Sequence, residues 1–390
     1  MLSIHRRIDY ILKHNVALQY LYRKSFSIVV RSMRLFVKRD KKMILFSSYA
    51  GRRYNDSPKV LFEAMLNDPR FKGFTLVWAF EHPEEFPIEG CEKVTIDTVS
   101  YFRTALKAGI WITSLNIERG LSFKPKGTIY VDTWHGAGTK KIGNAIGTRH
   151  DYDLSTVDMM LVQSHFEKEI FIRDFNCREE AIRIIGFPRN DELFHVTHAQ
   201  RQSLRQQMGI PDGKKVILYA PTWRDSKDGG VSYVVEPPIN MDKWRQQLSS
   251  DYVILFRMHV LTTRFDMTYD DFARDATAIE NLNHVLAVTD IMITDYSTIV
   301  YDAAVARIPF ICFGFDYERY SQERGFYYDL NSVYPGGVMH TEDDVLARIR
   351  QIEQGADKEL YENFRTRYIE AGGNATQSVL DEVLVRAGYV

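Results

Sequence analysis

The 390-residue chain is 45% hydrophobic and 26% charged with a net charge of −1, which excludes a disordered polypeptide and exceeds what one ordinary core holds. Two domains of roughly 150 to 200 residues are expected. Cys91, Cys177 and Cys312 lie far apart and never as CxxC, which argues against a disulfide framework or zinc site and for a reducing compartment; no apolar run approaches the ~20 residues that span a bilayer.

Residues 1–42 carry eleven lysines and arginines against two aspartates, an excess of +9 that leaves −10 for the remainder. At a helical period Ile4, Ile8, Ile11, Leu18, Tyr22, Phe26, Val29, Met33 and Phe36 form one stripe. Lys13, Lys24, Arg31, Arg34 and Lys38 fall opposite it. This pattern predicts an amphipathic helix over residues 1–40 that lies on an anionic membrane surface. The alternative is packing of the stripe on the chain's own domain or on another subunit. The N-terminus does not read as a cleavable signal, and no nucleic-acid recognition motif accompanies the charge.

From residue 41 onward short apolar runs alternate with helical patterns. Strands are predicted at 43–48, 75–80, 110–114 and 128–133, with helices at about 57–67 and 99–108 between them. A strand at 159–163, a helix at 165–175 and a strand at 182–185 follow. The polar stretch from about Phe194 to Gly213 marks a domain junction. Further strands are predicted at 215–219, 252–258, 291–294 and 310–313, and 356–390 reads as terminal helices. Such alternation implies mostly parallel sheets covered on both faces. The expected architecture is α/β, with Rossmann-like, doubly wound domains over 41–200 and 201–390 facing a central cleft, as in the B-type glycosyltransferase fold.

Ligands in such folds bind at the carboxyl ends of strands, and the reactive side chains fall there. His135 leaves a strand in Thr133-Trp134-His135-Gly136, and its imidazole titrates near neutrality, as a general base requires. His259 ends a strand in the other half, and Arg257 points to the same side of that strand; together they suit anionic oxygens. Asp295-Tyr296-Ser297-Thr298 joins a strand to a helix, so Ser297 or Thr298 can cap that helix and direct its free N–H groups at a phosphate. An ordinary N-cap is the plainer alternative. Asp302, near the start of the same helix, could accept from a ribose or complement the helix dipole. Thr222 and Arg224 follow the first strand of the second half and could contact phosphate or hold neighbouring loops. Lys140 and Lys141 could guide an anionic substrate or be solvated. Gly186-Phe187-Pro188-Arg189-Asn190-Asp191 reads as an interdomain elbow.

Metal chemistry is not expected. Asp151-Tyr152-Asp153 has the DxD spelling of metal-dependent sugar transferases but lacks further ligands nearby, and His195 and His198 sit in the polar junction. Neither GxGxxG nor GxxxxGK[ST] occurs, which argues against a dinucleotide cofactor or a P-loop.

Six segments in order resemble the CDP-glycerol glycerophosphotransferase family of teichoic acid synthesis, over about Lys42 to Leu360. They are Thr133-Trp134-His135-Gly136, Gly186-Phe187-Pro188-Arg189-Asn190-Asp191, Ala220-Pro221-Thr222-Trp223-Arg224, Arg257-Met258-His259, Ile293-Thr294-Asp295-Tyr296-Ser297-Thr298 and Arg324-Gly325-Phe326-Tyr327-Tyr328-Asp329. The resemblance implies transfer of glycerol phosphate from CDP-glycerol to a lipid-linked saccharide or polyol-phosphate acceptor, with release of CMP and no metal in the chemical step. An undecaprenyl-diphosphate-linked saccharide is the implied acceptor. Peripheral attachment to the cytoplasmic face of the cell membrane is the implied location. His135 and His259 become the catalytic histidines, His135 as base for the acceptor hydroxyl. His259, Ser297 and Thr298 would hold the diphosphate with Thr222, Arg224 and Arg257 beside them; Asp302 would meet the ribose, and Arg189 and Lys140 would contact substrate.

The family commonly continues Trp-His-Gly with Thr-Pro-Leu-Lys, where this chain has Ala137-Gly138-Thr139-Lys140, and follows Arg-Met-His with proline, here Val260. The chain is short for the family's polymerases, which favours a priming or short-chain role. A CDP-ribitol donor, a nucleotide-sugar glycosyltransferase and an inactive membrane-bound scaffold are the alternatives, and two retained histidines argue against the last. Self-association stays open.

Overall fold

The computed structural model describes residues 16–136, 138–147, 152–222, 238–257 and 269–389. Its interior strands form where apolar residues run together. β1 (Asp40–Ser47), β2 (Thr75–Phe80), β3 (Glu92–Thr95), β4 (Ala108–Thr113), β5 (Ile129–Asp132), β6 (Met159–Val162) and β7 (Ile182–Ile184) make one sheet in the order β3-β2-β1-β4-β5-β6-β7. β8 (Lys215–Tyr219), β9 (Tyr252–Phe256), β10 (Ala273–Asp275), β11 (Ile291–Thr294), β12 (Phe310–Phe313) and β13 (Val338–Met339) make a second, ordered β10-β9-β8-β11-β12-β13. Every neighbouring pair is parallel. Two Rossmann-like domains of the expected class result. Parallel sheets need cover on both faces, and all six residues of β4 are buried accordingly.

Three edge strands, β3, β10 and β13, escape the sequence reading. β3 is Glu-Lys-Val-Thr with only Val94 buried. An edge strand with one apolar residue carries no continuous run to recognise.

In each sheet the chain winds outward from a central strand and then returns to its other side. The strand order therefore reverses between β1 and β4, and between β8 and β11. Such a reversal of strand order is where α/β sheets bind their ligands, beyond the carboxyl ends of the strands.

The expected C-terminal domain over 201–390 needs correction at its end. The helix Ala375–Ala387 returns to the first domain, where Val379, Leu380, Val383 and Leu384 share a core with Phe46, Leu61 and Trp78. Asp191 caps that helix, its carboxylate accepting from the Ala375 and Thr376 amides at 2.9 and 2.7 Å. The amides of Glu370 and Ala371 donate to the Gln163 carbonyl on the way across. Gly186 makes the crossing possible, because a Cβ there would stand 2.6 Å from Gly372 Cα. Periodicity marks a helix's apolar face but not the domain that buries it.

The N-terminal helix, Val16–Met33, runs into a short turn at Arg34–Phe36. Its apolar residues divide. Val30 is buried, Phe26 and Met33 pack beside it, and the Phe26 ring meets Phe102 edge-on at 5.8 Å. Arg31 donates to the Ser122 carbonyl and hydroxyl at 2.6 and 2.8 Å. Leu21, Ile28, Leu35 and Phe36 are 60–86% exposed, and Leu18, Tyr22 and Val29 of the expected stripe are exposed with them. Ile4, Ile8 and Ile11 lie outside the described residues. Among the described residues no helix is long and apolar enough to cross a membrane.

Candidate active site

His135 sits at the carboxyl end of β5 on a sharply turned backbone. Trp134 has φ +49° and Gly136 φ +119°. Two bonds fix the turn: the Asp132 carboxyl accepts from the Trp134 amide at 2.9 Å, and the Trp134 indole donates to the Gly136 carbonyl at 3.1 Å. The indole packs edge-on to Phe171 and Phe175 and stacks on the His135 ring at 4.6 Å. Tyr49, just after β1, closes another side at 5.2 Å.

His135 Nδ1 lies 2.8 Å from the Ser114 carbonyl, which follows β4. A carbonyl only accepts, so Nδ1 carries the proton and Nε2 keeps its lone pair. Burial lowers the pKa of His135; the Ser114 bond and Asp56 work against that, and Arg189 adds to it. The net direction favours the neutral ring, the form a base needs.

The second domain brings its hydroxyl-bearing turn to the same place. A Cβ on Gly136 would stand 3.0 Å from Thr298 Oγ1. Thr298 holds the N-cap position of the Ile299–Val305 helix without a side-chain cap bond, and the preceding Ser297 hydroxyl accepts weakly from the Ile299 amide at 3.3 Å. The Asp295 carboxylate receives the Thr222 amide at 2.8 Å and the Thr222 hydroxyl as well, so Thr222 serves to hold adjacent loops. Arg257 donates through Nη1 to the Ala276 and Ile279 carbonyls at 2.9 and 2.6 Å, and burial lowers its pKa. Lys140 is half-buried, and its backbone pairs with Phe326 in an antiparallel bridge between domains. Flanking bonds run from the Lys141 amide to Gly325 and from the Tyr327 amide to Thr139. That bridge seats Arg324-Gly325-Phe326-Tyr327-Tyr328-Asp329 against the loop that follows His135. His259 and Arg224 lie outside the described residues.

Arg189 stands between the domains rather than at an open surface. Its guanidinium is 3.3 Å from Asp56 of the first domain and 3.2 Å from Asp302 of the second. Asn190 donates to the same Asp302 carboxylate at 2.7 Å. Burial disfavours the guanidinium charge, and Asp56 and Asp302 outweigh it, so the pKa of Arg189 is raised. Asp302 is thereby held by the elbow segment, in addition to its place on the helix's first turn.

Sequence reasoning missed Tyr49, Asp56, Ser114 and Asn190. The strand-end rule was available for the first three: Tyr49 and Asp56 follow β1 and Ser114 follows β4, strands on either side of the reversal. Tyr49, Ala50 and Asp56 also hold positive φ of 44°, 58° and 61°. Among the described residues no three His, Cys, Asp or Glu side chains gather as metal ligands. Asp151 lies outside them, and Asp153 accepts from the Ser155 amide and Asn176.

Comparison with known proteins gives a consistent picture. The family model for CDP-glycerol:poly(glycerophosphate) glycerophosphotransferase matches residues 29–385. The chain is 31% identical over 341 residues to the teichoic acid glycerol-phosphate transferase of Staphylococcus aureus, covering 82% of this chain and 86% of that protein. It is also 31% identical over 366 residues to the teichoic acid poly(glycerol phosphate) polymerase of Staphylococcus epidermidis, but spans only 50% of that protein's length. A teichoic acid ribitol-phosphate primase of Bacillus spizizenii is 29% identical over a shorter span, 66% of this chain. The structure of a variant of the wall teichoic acid polymerase TagF, soaked with CDPG, superposes with a TM-score of 0.81 at 26% identity, covering 95% of this chain and 96% of that one. With a family match across nearly the whole chain, this chain belongs to the CDP-glycerol:poly(glycerophosphate) glycerophosphotransferase family.

Proposed function

We propose that the protein transfers glycerol phosphate from CDP-glycerol to a hydroxyl of a lipid-linked saccharide or polyol-phosphate acceptor in teichoic acid synthesis. The observation that carries this is the His135 ring: Nδ1 anchored on Ser114, Nε2 unprotonated, and the neighbouring Gly136 against Thr298 of the opposite domain. Nε2 takes the proton of the acceptor hydroxyl. The freed oxygen bonds to the β-phosphorus of the donor, the bond from that phosphorus to the bridging oxygen breaks, and CMP leaves with the electron pair. Phosphoryl transfer of this kind depends on positioning and on donors around the spread negative charge. His259, Arg224, Ser297 and Thr298 are the groups we assign to the diphosphate.

Glycerol is preferred to ribitol as the donor's polyol because the glycerol-phosphate relatives match over a larger share of the chain. A lipid-linked acceptor is presented at a membrane. The exposed apolar arc of Leu21, Ile28, Leu35 and Phe36, beside exposed Lys24, Arg34 and Lys38, suits the cytoplasmic face of an anionic bilayer. The deciding assay supplies CDP-glycerol or CDP-ribitol with an undecaprenyl-diphosphate-linked disaccharide and follows CMP release. Product length then shows whether one unit or many are added. CMP from CDP-ribitol alone would reassign the donor, and release from neither donor, with consumption of a UDP-sugar, would overturn the reading.

A further inference from the structure

The transfer chemistry leaves one charged cluster without a part in bond making: Asp56, Arg189 and Asp302. We propose that Asp56 and Arg189 are positioning residues that brace Tyr49 against His135 and make the electrostatic surroundings of that imidazole depend on contact between the domains. The inference rests on the reading of His135 as the base.

The geometry runs as a chain of contacts. The Tyr49 ring lies 5.2 Å from the imidazole, and its hydroxyl donates to Asp56 Oδ2 at 3.1 Å. Arg189 reaches the same Asp56 carboxylate at 3.3 Å and, through its other nitrogen, Asp302 of the second domain at 3.2 Å. Asp56 also accepts from the Ser57 amide at 2.6 Å, and the Tyr49 amide donates to Ser114 Oγ at 3.2 Å. The residue whose carbonyl holds His135 is thus tied to the same brace. Non-glycine residues with positive φ persist only where their surroundings over-determine them. Tyr49, Ala50 and Asp56 are three such residues within eight positions.

Among the described residues the groups packed around the imidazole are the Trp134 ring from its own loop, the Tyr49 ring from the turn after β1 and the Ser114 carbonyl after β4. None of these carries charge. Among the described residues the charges acting on the ring are Asp56, which favours the imidazolium, and Arg189, which disfavours it. They act with opposite sign, and Arg189 is held from both sides, by Asp56 in the first domain and by Asp302 in the second.

The test uses the full chain with labelled histidine, the His135 signal being the one lost in His135→Asn. Asp56→Asn removes a negative charge with little change of shape, so the His135 titration midpoint should move to lower pH. Arg189→Gln removes the positive charge and should move it to higher pH, with the double variant between the two. Each single variant tests its own sign, so one that folds is sufficient. The acidic limb of the kcat profile should shift in the same direction as the midpoint. A midpoint that stays put, or moves alike in both variants, overturns the inference. Midpoints that shift as expected while the rate profile does not follow uphold the brace and overturn His135 as the base.

Discussion

A methyl group added to Gly136 would stand 3.0 Å from the hydroxyl oxygen of Thr298, so the backbone beside His135 touches the opposite domain directly. Gly136 also holds φ +119°, which residues with a Cβ rarely adopt. Gly136→Ala should therefore displace the imidazole and hold the domains apart. A loss of about 100-fold in kcat is expected, the scale of a 1 Å misplacement. Steady-state kinetics would reveal it, and a variant turning over at the parent rate would show that this contact does not position the base.

His135→Asn removes the Nε2 lone pair and keeps an N–H donor near the place of Nδ1. Turnover should fall by roughly 10²- to 10⁴-fold, the usual contribution of a general base. Calorimetric affinity for CDP-glycerol should change little, because the base acts on the acceptor. Equal loss of affinity and turnover would place His135 in donor binding instead.

Glu167 gives a pH dependence with a definite sign. Its carboxylate accepts from the Gln163 amide and side chain, yet burial pushes its pKa up to about 7. The unfolded chain releases this proton near the ordinary glutamate value. Between those two points folding takes up a proton, so the contribution of Glu167 to stability is complete below about pH 4.5 and lost as pH rises through about 7. The urea midpoint of Glu167→Gln, relative to the parent, should be higher at pH 8 than at pH 4.5. A difference independent of pH would show that the carboxyl ionises normally in the fold.

The exposed arc of the N-terminal helix offers a separate test of membrane contact. Replacing Leu21, Ile28, Leu35 and Phe36 together by serine leaves Val30, Phe26 and the Arg31–Ser122 bonds in place. Sedimentation with phosphatidylglycerol vesicles should fall at least tenfold, given about 1.5–3 kcal/mol for each large side chain fully buried. Thermal unfolding should be unchanged. Undiminished sedimentation would assign the arc to something other than lipid.

Tertiary contacts gave several motif residues partners their local pattern could not indicate. Asp302 looked like a ribose contact or a dipole partner, and the fold brings Arg189 and Asn190 against it across more than a hundred residues. Thr222 offers either a phosphate contact or a tie between loops, and the Asp295 carboxylate, which takes its hydroxyl, decides for the tie. Asp191 ended a turn motif, and it caps a helix that begins at residue 375. Each partner lies far away in sequence, where spacing carries no information.

The order of apolar runs by itself determined the α/β class, the interior strands and the place of His135 at a strand's end. Those properties depend on side-chain periodicity and on the burial of parallel strands, both written locally in the chain. Only the tertiary structure decided that the last helix completes the first domain, that most of the described apolar side chains of the N-terminal helix face outward, and that one arginine joins two aspartates between the domains. Burial and ion pairing at those points are properties of surfaces that meet after the chain has folded.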